Sequence, residues 1–405
     1  MKNKFILGMA AAVMALTACN DSDDKNDQDQ SFENEAKAVV EQYVPNVIYS
    51  TYNDLARESD ELYNLLADAT EKGVNDLTQA EIDAICAKFL QARQSWEESE
   101  AFLFGAASVF GIDPHIDTWP LSVVDLATTL NNAEQVSNLE GEDGIEYAAS
   151  NIGESLLGFH GIEFVLFRNG QNRTVNALRG NEDDDAFQGK NVTGTQELIY
   201  ATAVAGDLRD NCFRLCVSWN PDAPDEYKER CEDREFEVTM TGSDKTFGEN
   251  ILNATKPGSS YATWQGTLAE ILKGGCSNIC NEVANVKMGN AHNVVDVSYI
   301  ESPYSEMSFQ DFIDNILSIQ YSLYGKAGAT TPESKSLINI LKNYNYSYVN
   351  DLVQKLNESV AALKVCQQKG AFVRIYADQS VQKAMDVINE LDEELNKAAD
   401  WVTKQ

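Results

Sequence analysis

The sequence has few histidines and lacks the motifs by which the common hydrolases are identified. It contains 3 histidines in 405 residues, and the patterns His-Glu-x-x-His, Gly-x-Ser-x-Gly and the phosphate loop do not occur. The usual zinc-peptidase helix and the serine-hydrolase elbow are therefore excluded. A hydrolytic zinc ion would have to be held by three scattered protein ligands, with a fourth position open to water.

Basic residues are also scarce. The chain has 31 Lys and Arg residues against 64 Asp and Glu residues, and its formal net charge is -33. A nucleic-acid partner is excluded, because binding phosphates requires clustered basic side chains. After residue 30 no apolar run is long enough to span a bilayer. Alternation of apolar and polar residues is nowhere sustained enough to predict a sheet.

The first residues resemble a bacterial lipoprotein signal. Lys2 and Lys4 precede a short apolar stretch, and residues 16–19 (Leu-Thr-Ala-Cys) resemble a lipobox. We expect residues 1–19 to be the signal and Cys19 to be the lipidated residue, giving an anchor in the outer membrane on its periplasmic or surface face. An ordinary signal peptide with a chance cysteine is the alternative. Residues 20–31 are predicted to be a disordered acidic tether.

Apolar residues recur at spacings near 3.6 through most of the remaining chain. This pattern predicts an all-α fold with two tandem helical bundles, residues 32–190 and 191–405, each resembling a four-helix bundle, with a groove between them. Pro45 predicts a kink in the first helix.

Capping patterns predict where several helices begin. Thr78-x-x-Glu81 should open a helix that continues through Leu103, and Ser308-x-x-Asp311 should cap another. Thr331, followed by proline, should start one long helix that reaches Val360. The segment 236–240 is predicted either to form a short strand or to cover the bundle.

The strongest candidate site is Gly158-Phe159-His160-Gly161-Ile162-Glu163. On a helix, His160 and Glu163 lie three positions apart on one face and can direct an imidazole and a carboxylate at the same metal ion. A core histidine that is hydrogen-bonded to a neighbouring carboxylate is the alternative. Glu100 lies four positions after Trp96, on the inward face, where a carboxylate needs a partner or a metal. Surface exposure of Glu100 is the competing interpretation.

This motif, followed by Phe-Val-Leu-Phe at residues 164–167, resembles the signature of the imelysin family. The family comprises exported bacterial proteins that were first classed as metallopeptidases and later tied to iron acquisition. Residues 96–102, 110–121 and 299–325 are similar to other segments of the family. The resemblance implies the two-bundle architecture and a groove lined by further candidate ligand-binding residues: Asp117, Trp119, Gly158, Glu301, Ser302 and Ser305.

The expected function is that of an imelysin-like lipoprotein implicated in iron uptake. It would bind iron, another cation or an iron-bearing ligand, with His160, Glu163 and Glu100 as metal ligands and with iron or zinc as the candidate metal. Two alternatives stay open: a zinc metallopeptidase, and a metal-free binding protein for a small polar ligand or peptide. An envelope iron transporter or a surface receptor is the expected protein partner.

Two further features allow several interpretations. His115 lies in the proline-containing segment 110–121, either as a second imidazole for the site or as an exposed loop residue. With Cys19 lipidated, seven cysteines remain, and they suit inter-helix disulfides, reduced core residues or, less well, a zinc site. These seven are Cys86, Cys212, Cys216, Cys231, Cys276, Cys280 and Cys366.

Overall fold

The computed structural model describes residues 22–405, with side chains described from residue 30 onward. The predicted signal sequence and the lipidation of Cys19 lie outside the described residues. A helix begins at Ser22, within the segment predicted to be a tether. Among the residues that are described, no helix is both long and apolar enough to cross a membrane.

Helices form nearly all of the regular structure, and the predicted all-α fold is confirmed. In residues 22–405, β1 and β2 form one short antiparallel hairpin. The elements of the first half are α1 (Ser22–Tyr43), α2 (Ser50–Lys72), α3 (Gln79–Glu97), α4 (Ala106–Val109), α5 (Ile112–Ile116), α6 (Val123–Leu130), α7 (Ala133–Asn138), α8 (Gly141–Asn151), α9 (Gly158–Leu166), β1 (Phe167–Arg168), β2 (Gln171–Asn172), α10 (Val175–Leu178) and α11 (Gly194–Trp219).

The second half is helical in the same way, and the chain also contains π-helical and 3₁₀ segments. Its α-helices are α12 (Asp225–Asp233), α13 (Phe247–Leu252), α14 (Trp264–Glu270), α15 (Asn278–Asn281), α16 (Gly289–His292), α17 (Ser308–Tyr324), α18 (Leu337–Asn343), α19 (Val349–Lys369), α20 (Phe372–Ile375) and α21 (Gln379–Val402). The π-helical segments are Val44–Tyr49, Ile271–Ser277 and Glu282–Lys287, and the 3₁₀ turns are Glu100–Phe102, Glu154–Leu156 and Asp185–Phe187.

The helices pack in two groups. In the first group α11 packs along α2 and against α8 and α9, while α3 packs on α2. In the second, α19 lies between α17 and α21, and α21 covers the run of α and π segments that begins at α14. Contacts of α17 with α3 and with the turn at Glu100–Phe102 join the two groups. The domain boundary at residues 190/191 stays a prediction. The helix that follows this boundary, α11, packs on helices that precede it.

The predicted start of α3 is confirmed, and its predicted end is wrong. The capping box at Thr78 forms, because Thr78 N donates to the Glu81 carboxylate at 2.8 Å and the Thr78 hydroxyl accepts from Glu81 N. Pro45 lies in the π-helical segment that links α1 and α2. However, α3 ends at Glu97, and the chain then turns through Glu100–Phe102, so the predicted continuation to Leu103 is wrong.

The other two capping predictions are also wrong. Ser308 does not cap α17, since its hydroxyl donates to the carbonyl oxygen of Glu301 and no side chain caps that helix. The single long helix predicted from Thr331 is two helices, α18 and α19. Ser336 caps α18, and Asn345, with φ of 60°, takes the left-handed conformation that separates the pair.

The seven described cysteines are buried thiols without disulfides. This arrangement agrees with the interpretation that they are reduced core residues. The segment 236–240 has no strand in the structure and packs against the core through partly buried apolar side chains.

Candidate functional site

The backbone around His160 depends on a close contact between α5 and α9. Gly158, the first residue of α9, has φ of 67°, and a Cβ atom added there would lie 1.8 Å from the carbonyl oxygen of Ile116. Only glycine allows this approach, which brings Asp117, the residue after α5, to His160. A Cβ on Gly161 would lie 2.2 Å from the hydroxyl of Tyr200. Both glycines beside His160 therefore serve packing within the protein.

His160 is buried and contacts a carboxylate through each ring nitrogen. Its Nε2 atom lies 3.1 Å from Asp117 Oδ1, and its Nδ1 atom lies 3.5 Å from Glu163 Oε2. The second oxygen of Glu163 accepts hydrogen bonds from the backbone and hydroxyl of Ser305, both at 2.7 Å, and from Tyr304 N at 3.1 Å. Glu163 thus connects the imidazole to the segment that precedes α17.

Arg93 of α3 is the centre of a buried ion-pair cluster. Its guanidinium donates to Asp117 and, at 2.6 Å, to Glu301 Oε1, and it also pairs with Glu97. The indole nitrogen of Trp96 donates to the other oxygen of Asp117 at 2.7 Å. Asp117 is therefore held by α3 on one side while it faces His160 on the other.

Lys287 supplies the second buried cation. Its Nζ atom lies 3.1 Å from Glu301 Oε1, 3.5 Å from Glu97 Oε2 and 3.7 Å from Glu100 Oε1. Asn315 of α17 donates to the same Oε2 atom of Glu97. Carboxylates from α3, from the turn after it and from the segment before α17 thus converge on a single ammonium group.

Burial and ion pairing shift the pKa values of these groups in opposite directions. Burial lowers the pKa of His160, but the neighbouring Asp117 and Glu163 outweigh it and raise that pKa to about 9. Burial raises the pKa of Asp117, yet Arg93 and His160 hold it well below its usual range. Burial raises the pKa of Glu97 to about 8 although Arg93 and Lys287 oppose the shift.

Two sets of donor atoms lie close enough to share a cation. Within each set the ligand atoms lie within 4.8 Å of one another: Asp117, His160 and Glu301 form one set, and Glu97, Glu100 and Asp117 form the other. In the first set, His160 Nε2 and Glu301 Oε2 are buried and have no aligned hydrogen-bond partner among the described residues. Protein cations lie beside both sets: Arg93 donates to Asp117 and Glu301 of the first, and Lys287 lies beside Glu97 and Glu100 of the second.

A cavity of about 320 Å³ adjoins His160. The indole nitrogen of Trp119, which also borders the cavity, is buried without a hydrogen-bond partner in the described part of the chain. The ring centroid of Trp119 lies 6.4 Å from that of His160 and 5.2 Å from that of Tyr299. The cavity is lined by Trp119, Pro120, Leu121, Val123, His160, Ser298, Ile300, Pro303 and Tyr304.

The structure brings most of the residues singled out in the sequence into one region. Glu100 is buried, in a turn rather than on a helix face, and faces Lys287. The Ser302 hydroxyl donates to Asp311. His115 lies apart from the site and pairs with Asp207. The metal-ligand set His160, Glu163 and Glu100 stays a prediction, and the donor atoms that cluster with one from His160 belong to Asp117 and Glu301.

Sequence reasoning missed the basic residues of the site. Arg93 lies four positions before Glu97 and one turn before Trp96, on the inward face of α3, which was a usable signal. Lys287 lies beside Val283, Ala284 and Met288, all buried, so its position in an apolar stretch was a second signal. Their shared partner, Glu301, had been identified only through the family resemblance.

Comparisons with known proteins identify the family that shares this architecture. The family model described as imelysin (peptidase M75) matches residues 48–398. Iron-regulated protein A of Synechococcus elongatus is 24% identical over 277 residues, which are 68% of this chain and 61% of that protein. The chain therefore matches less than two thirds of the length of this curated relative.

Two solved structures share the fold. A protein assigned as an iron-regulated protein A precursor from Parabacteroides distasonis has a TM-score of 0.71 and 22% identity, covering 91% of this chain and 95% of its own. An imelysin-like protein from Psychrobacter arcticum has a TM-score of 0.50 and 14% identity, covering 92% and 94%. Since the family model spans most of the chain, the protein belongs to the imelysin family.

Proposed function

We propose that the protein binds a metal cation, with iron as the first candidate, through Asp117, His160 and Glu301. The observation that carries this proposal is the convergence of the three donor atoms within 4.8 Å of one another. Two of these residues also carry a buried atom that has no aligned hydrogen-bond partner in the described residues, His160 Nε2 and Glu301 Oε2. Buried polar atoms of this kind are rare and require an explanation.

The donor chemistry suits a transition metal. An imidazole with two carboxylates binds iron or zinc, whereas calcium and magnesium prefer sites made of oxygen alone. Glu163, beside His160 Nδ1, corresponds to the carboxylate that orients a metal-bound histidine through its other ring nitrogen. Because the pKa of His160 is raised to about 9, a cation must displace a proton from Nε2. Its affinity should therefore rise with pH.

The charge balance of the site also favours a cation. Three cationic groups, Arg93, Lys287 and the His160 imidazolium, lie among a larger set of buried carboxylates. Protons neutralise part of the excess in the absence of metal, because burial raises the pKa of several of these acids. A bound cation would replace such protons. The buried carboxylates are Glu97, Glu100, Asp117, Glu163, Glu301 and Asp311.

The preference for iron and the cellular location rest on other grounds. The Synechococcus and Parabacteroides relatives are named for iron regulation, which supports iron over other metals. The lipobox-like end of the signal supports anchoring through Cys19 in the cell envelope, where a transporter or surface receptor would be the partner. A cation-binding lipoprotein that delivers iron to such a partner is the function that these features support best.

Calorimetric titration of the metal-stripped protein with iron(II), iron(III) and zinc tests the proposal. We expect binding that weakens at least tenfold in His160→Gln and Glu301→Gln, because each variant removes one ligand. Glu163→Gln should weaken binding less, since it only orients His160. His292→Gln is the matched control, because His292 lies outside the cluster and contacts the carbonyl oxygen of Tyr376.

The absence of binding heat for all three ions would contradict the metal site. That result would favour a second function, the binding of a small polar ligand, which the cavity beside His160 and the unpaired indole N–H of Trp119 support. Zinc preferred over iron, with hydrolysis of a peptide substrate that His160→Gln abolishes, would support the peptidase alternative instead.

A further inference from the structure

A second cavity lies on the first group of helices, away from the cluster around Arg93. Its volume is about 400 Å³, within the range of about 300–1,000 Å³ that is typical of small-molecule sites. It opens between the end of α2, the start of α11 and the junction of α7 with α8, and we call it the α2–α11 pocket. It is lined by Tyr63, Ala67, Thr70, Glu71, Gly73, Val74, Leu139, Glu140, Gly141, Glu142, Thr195, Leu198, Ile199 and Thr202.

The floor of the α2–α11 pocket is apolar and continuous with the core. Val74, Leu139 and Leu198 are buried, and Ala67 and Ile199 are partly buried beside them. Covering apolar surface of this kind releases water and is favourable. A ligand with an apolar body therefore gains free energy by lying on this floor.

Two hydroxyl groups lie between α2 and α11 in the wall of the pocket. Thr70 Oγ1 is 2.7 Å from Thr202 Oγ1, 3.3 Å from the carbonyl oxygen of Leu198 and joined through Thr202 to the carbonyl oxygen of Leu66 at 3.2 Å. Two hydroxyl protons thus serve three contacts, so the hydroxyls have lone pairs to offer but no free proton. They favour a ligand that donates hydrogen bonds over one that only accepts them.

The charged side chains that line the pocket are all acidic. They are Glu71, Glu140 and Glu142, and the lining contains no Lys, Arg or His. Glu142 is engaged, since Arg230 pairs with one of its oxygens at 2.6 Å and the Tyr63 hydroxyl donates to the other at 3.2 Å. Glu71 and Glu140 are exposed and pair with no basic group within the described chain. These two free carboxylates attract a cation and repel an anion.

The positive groups near the pocket are offset within the protein. The first turn of α8 carries Glu142 and Asp143, which balance the partial positive charge at the start of that helix. A capping box closes the start of α11. Lys72, the residue after Glu71, pairs with Glu81 at 2.7 Å. The pocket therefore presents net negative charge to a ligand.

We propose that the α2–α11 pocket binds a small organic cation, an alkylammonium with an apolar body. The body covers the floor formed by Val74, Leu139 and Leu198, and the ammonium group is held at the rim by the free carboxylates of Glu71 and Glu140. The site goes beyond the proposed function, since it shares no residue with the cation site at Asp117, His160 and Glu301.

Calorimetric titration of the metal-stripped protein with hexylammonium, hexan-1-ol and hexanoate tests this proposal. The three probes have the same apolar body and differ in the charge of the head group. We expect saturable binding of hexylammonium, weaker binding of hexan-1-ol and the weakest binding of hexanoate, at least about tenfold below hexylammonium. Because the two carboxylates are exposed, the preference for hexylammonium should decrease as salt is added.

Variants of the rim and of the floor separate the two contributions. Glu71→Gln and Glu140→Gln should each weaken hexylammonium binding about two- to fivefold, the effect of one exposed charge pair, and leave hexan-1-ol binding unchanged. Ala67→Leu fills the pocket and should abolish the binding of both probes. Circular dichroism and a thermal melt establish that this variant is folded. Glu134→Gln is the matched control, because Glu134 is an exposed acid on α7 that does not line the pocket.

Four results would overturn the proposal. They are no saturable binding of hexylammonium at concentrations on the order of 10 mM, hexanoate bound as tightly as hexylammonium, unchanged hexylammonium binding in the double variant Glu71→Gln/Glu140→Gln, or unchanged binding in Ala67→Leu. The last result would place hexylammonium elsewhere on the acidic surface. Since the metal titration depends on other residues, the two titrations can fail separately.

Discussion

Lys287 holds its ammonium group 3.1 Å from Oε1 of Glu301, and both side chains are buried in the interior. The same Oε1 atom accepts from Arg93 at 2.6 Å, so one carboxylate oxygen links cations from two groups of helices. Burying charges is costly unless each is paired. The cluster therefore depends on Lys287 and Arg93 for its stability, whether or not a metal binds beside it.

Replacing Lys287 should destabilise the fold strongly. We expect Lys287→Met to lower the free energy of unfolding by about 3 kcal/mol at pH 7, because it removes the ion pair of buried Glu100 and leaves Glu97 and Glu301 to Arg93 alone. The loss should shrink as the pH falls, because protonation removes the repulsion between these acids. Urea unfolding at pH 7 and pH 5.5 measures both effects.

Lys355→Met is the matched control for the lysine substitution. Lys355 is a partly exposed lysine at the surface that also contacts two carboxylates, Glu358 at 2.9 Å and Glu390 at 2.6 Å. Solvent screens such pairs, so this variant should unfold at the same urea concentration as the unaltered protein. Equal midpoints for both variants would show that the buried cluster does not stabilise the fold.

The contact between α5 and α9 predicts a specific effect at Gly158. Alanine there must adopt φ near 67° and place its Cβ atom against the carbonyl oxygen of Ile116, so Gly158→Ala should cost at least about 3 kcal/mol. Displacing α9 from Asp117 should also weaken any ligand bound at His160. Urea unfolding measures the first effect, and calorimetry with iron(II) measures the second.

Gly111→Ala separates the cost of the left-handed backbone conformation from the cost of the steric overlap with Ile116. Gly111 has φ of 63°, but a Cβ atom there would have nothing within 4 Å. Its substitution should cost only about 1–2 kcal/mol, the penalty of the left-handed conformation. Similar losses in both glycine variants would rule out the steric argument.

The buried thiols make a prediction about redox state. Burial raises the pKa of all seven described cysteines, so the reactive thiolate is scarce and shielded. Ellman's reagent should not label them in the native protein, and all seven should react after unfolding without a reductant. Fewer than seven thiols after unfolding would show that disulfides form. The pKa is raised to about 12 for Cys86, Cys212, Cys216, Cys231 and Cys276.

The sequence predicted the helical class better than it predicted the contacts among the candidate site residues. Helical periodicity is local, and so is the spacing of His160 and Glu163, so both were readable from short segments. The contact of Arg93 with Glu301 joins residues 208 positions apart, and no local pattern encodes it. Glu163 was expected to share a metal with His160, whereas the structure shows it also holding Ser305, a partner that depends on tertiary packing.

Helix ends were predicted less well for a related reason. The Thr78 cap formed because its partners lie within one turn of the chain. Ser308 and Asp311 carry the same local signal, but Glu301 and Ser302, seven and nine residues earlier in the chain, bind them instead. Side-chain hydrogen bonds within the preceding loop thus replace the predicted cap.

A buried acid outside the ion-pair cluster around Arg93 predicts how stability depends on pH. Burial, reinforced by Glu98 and Asp311, raises the pKa of Asp314 to about 9. Between about pH 4 and pH 9 the unfolded chain loses this proton and the folded protein keeps it, so the group lowers stability as pH rises. Asp314→Asn should therefore raise the free energy of unfolding at pH 8 by at least about 1 kcal/mol and should change it little at pH 4.

Asp386→Asn is the matched control for this substitution. Asp386 likewise accepts a hydrogen bond from a glutamine one helical turn earlier, Gln382, but it is exposed. Urea unfolding of both variants across this pH range measures the effect. If the free energy of unfolding changes with pH in the same way in the two variants, burial does not raise the pKa of Asp314.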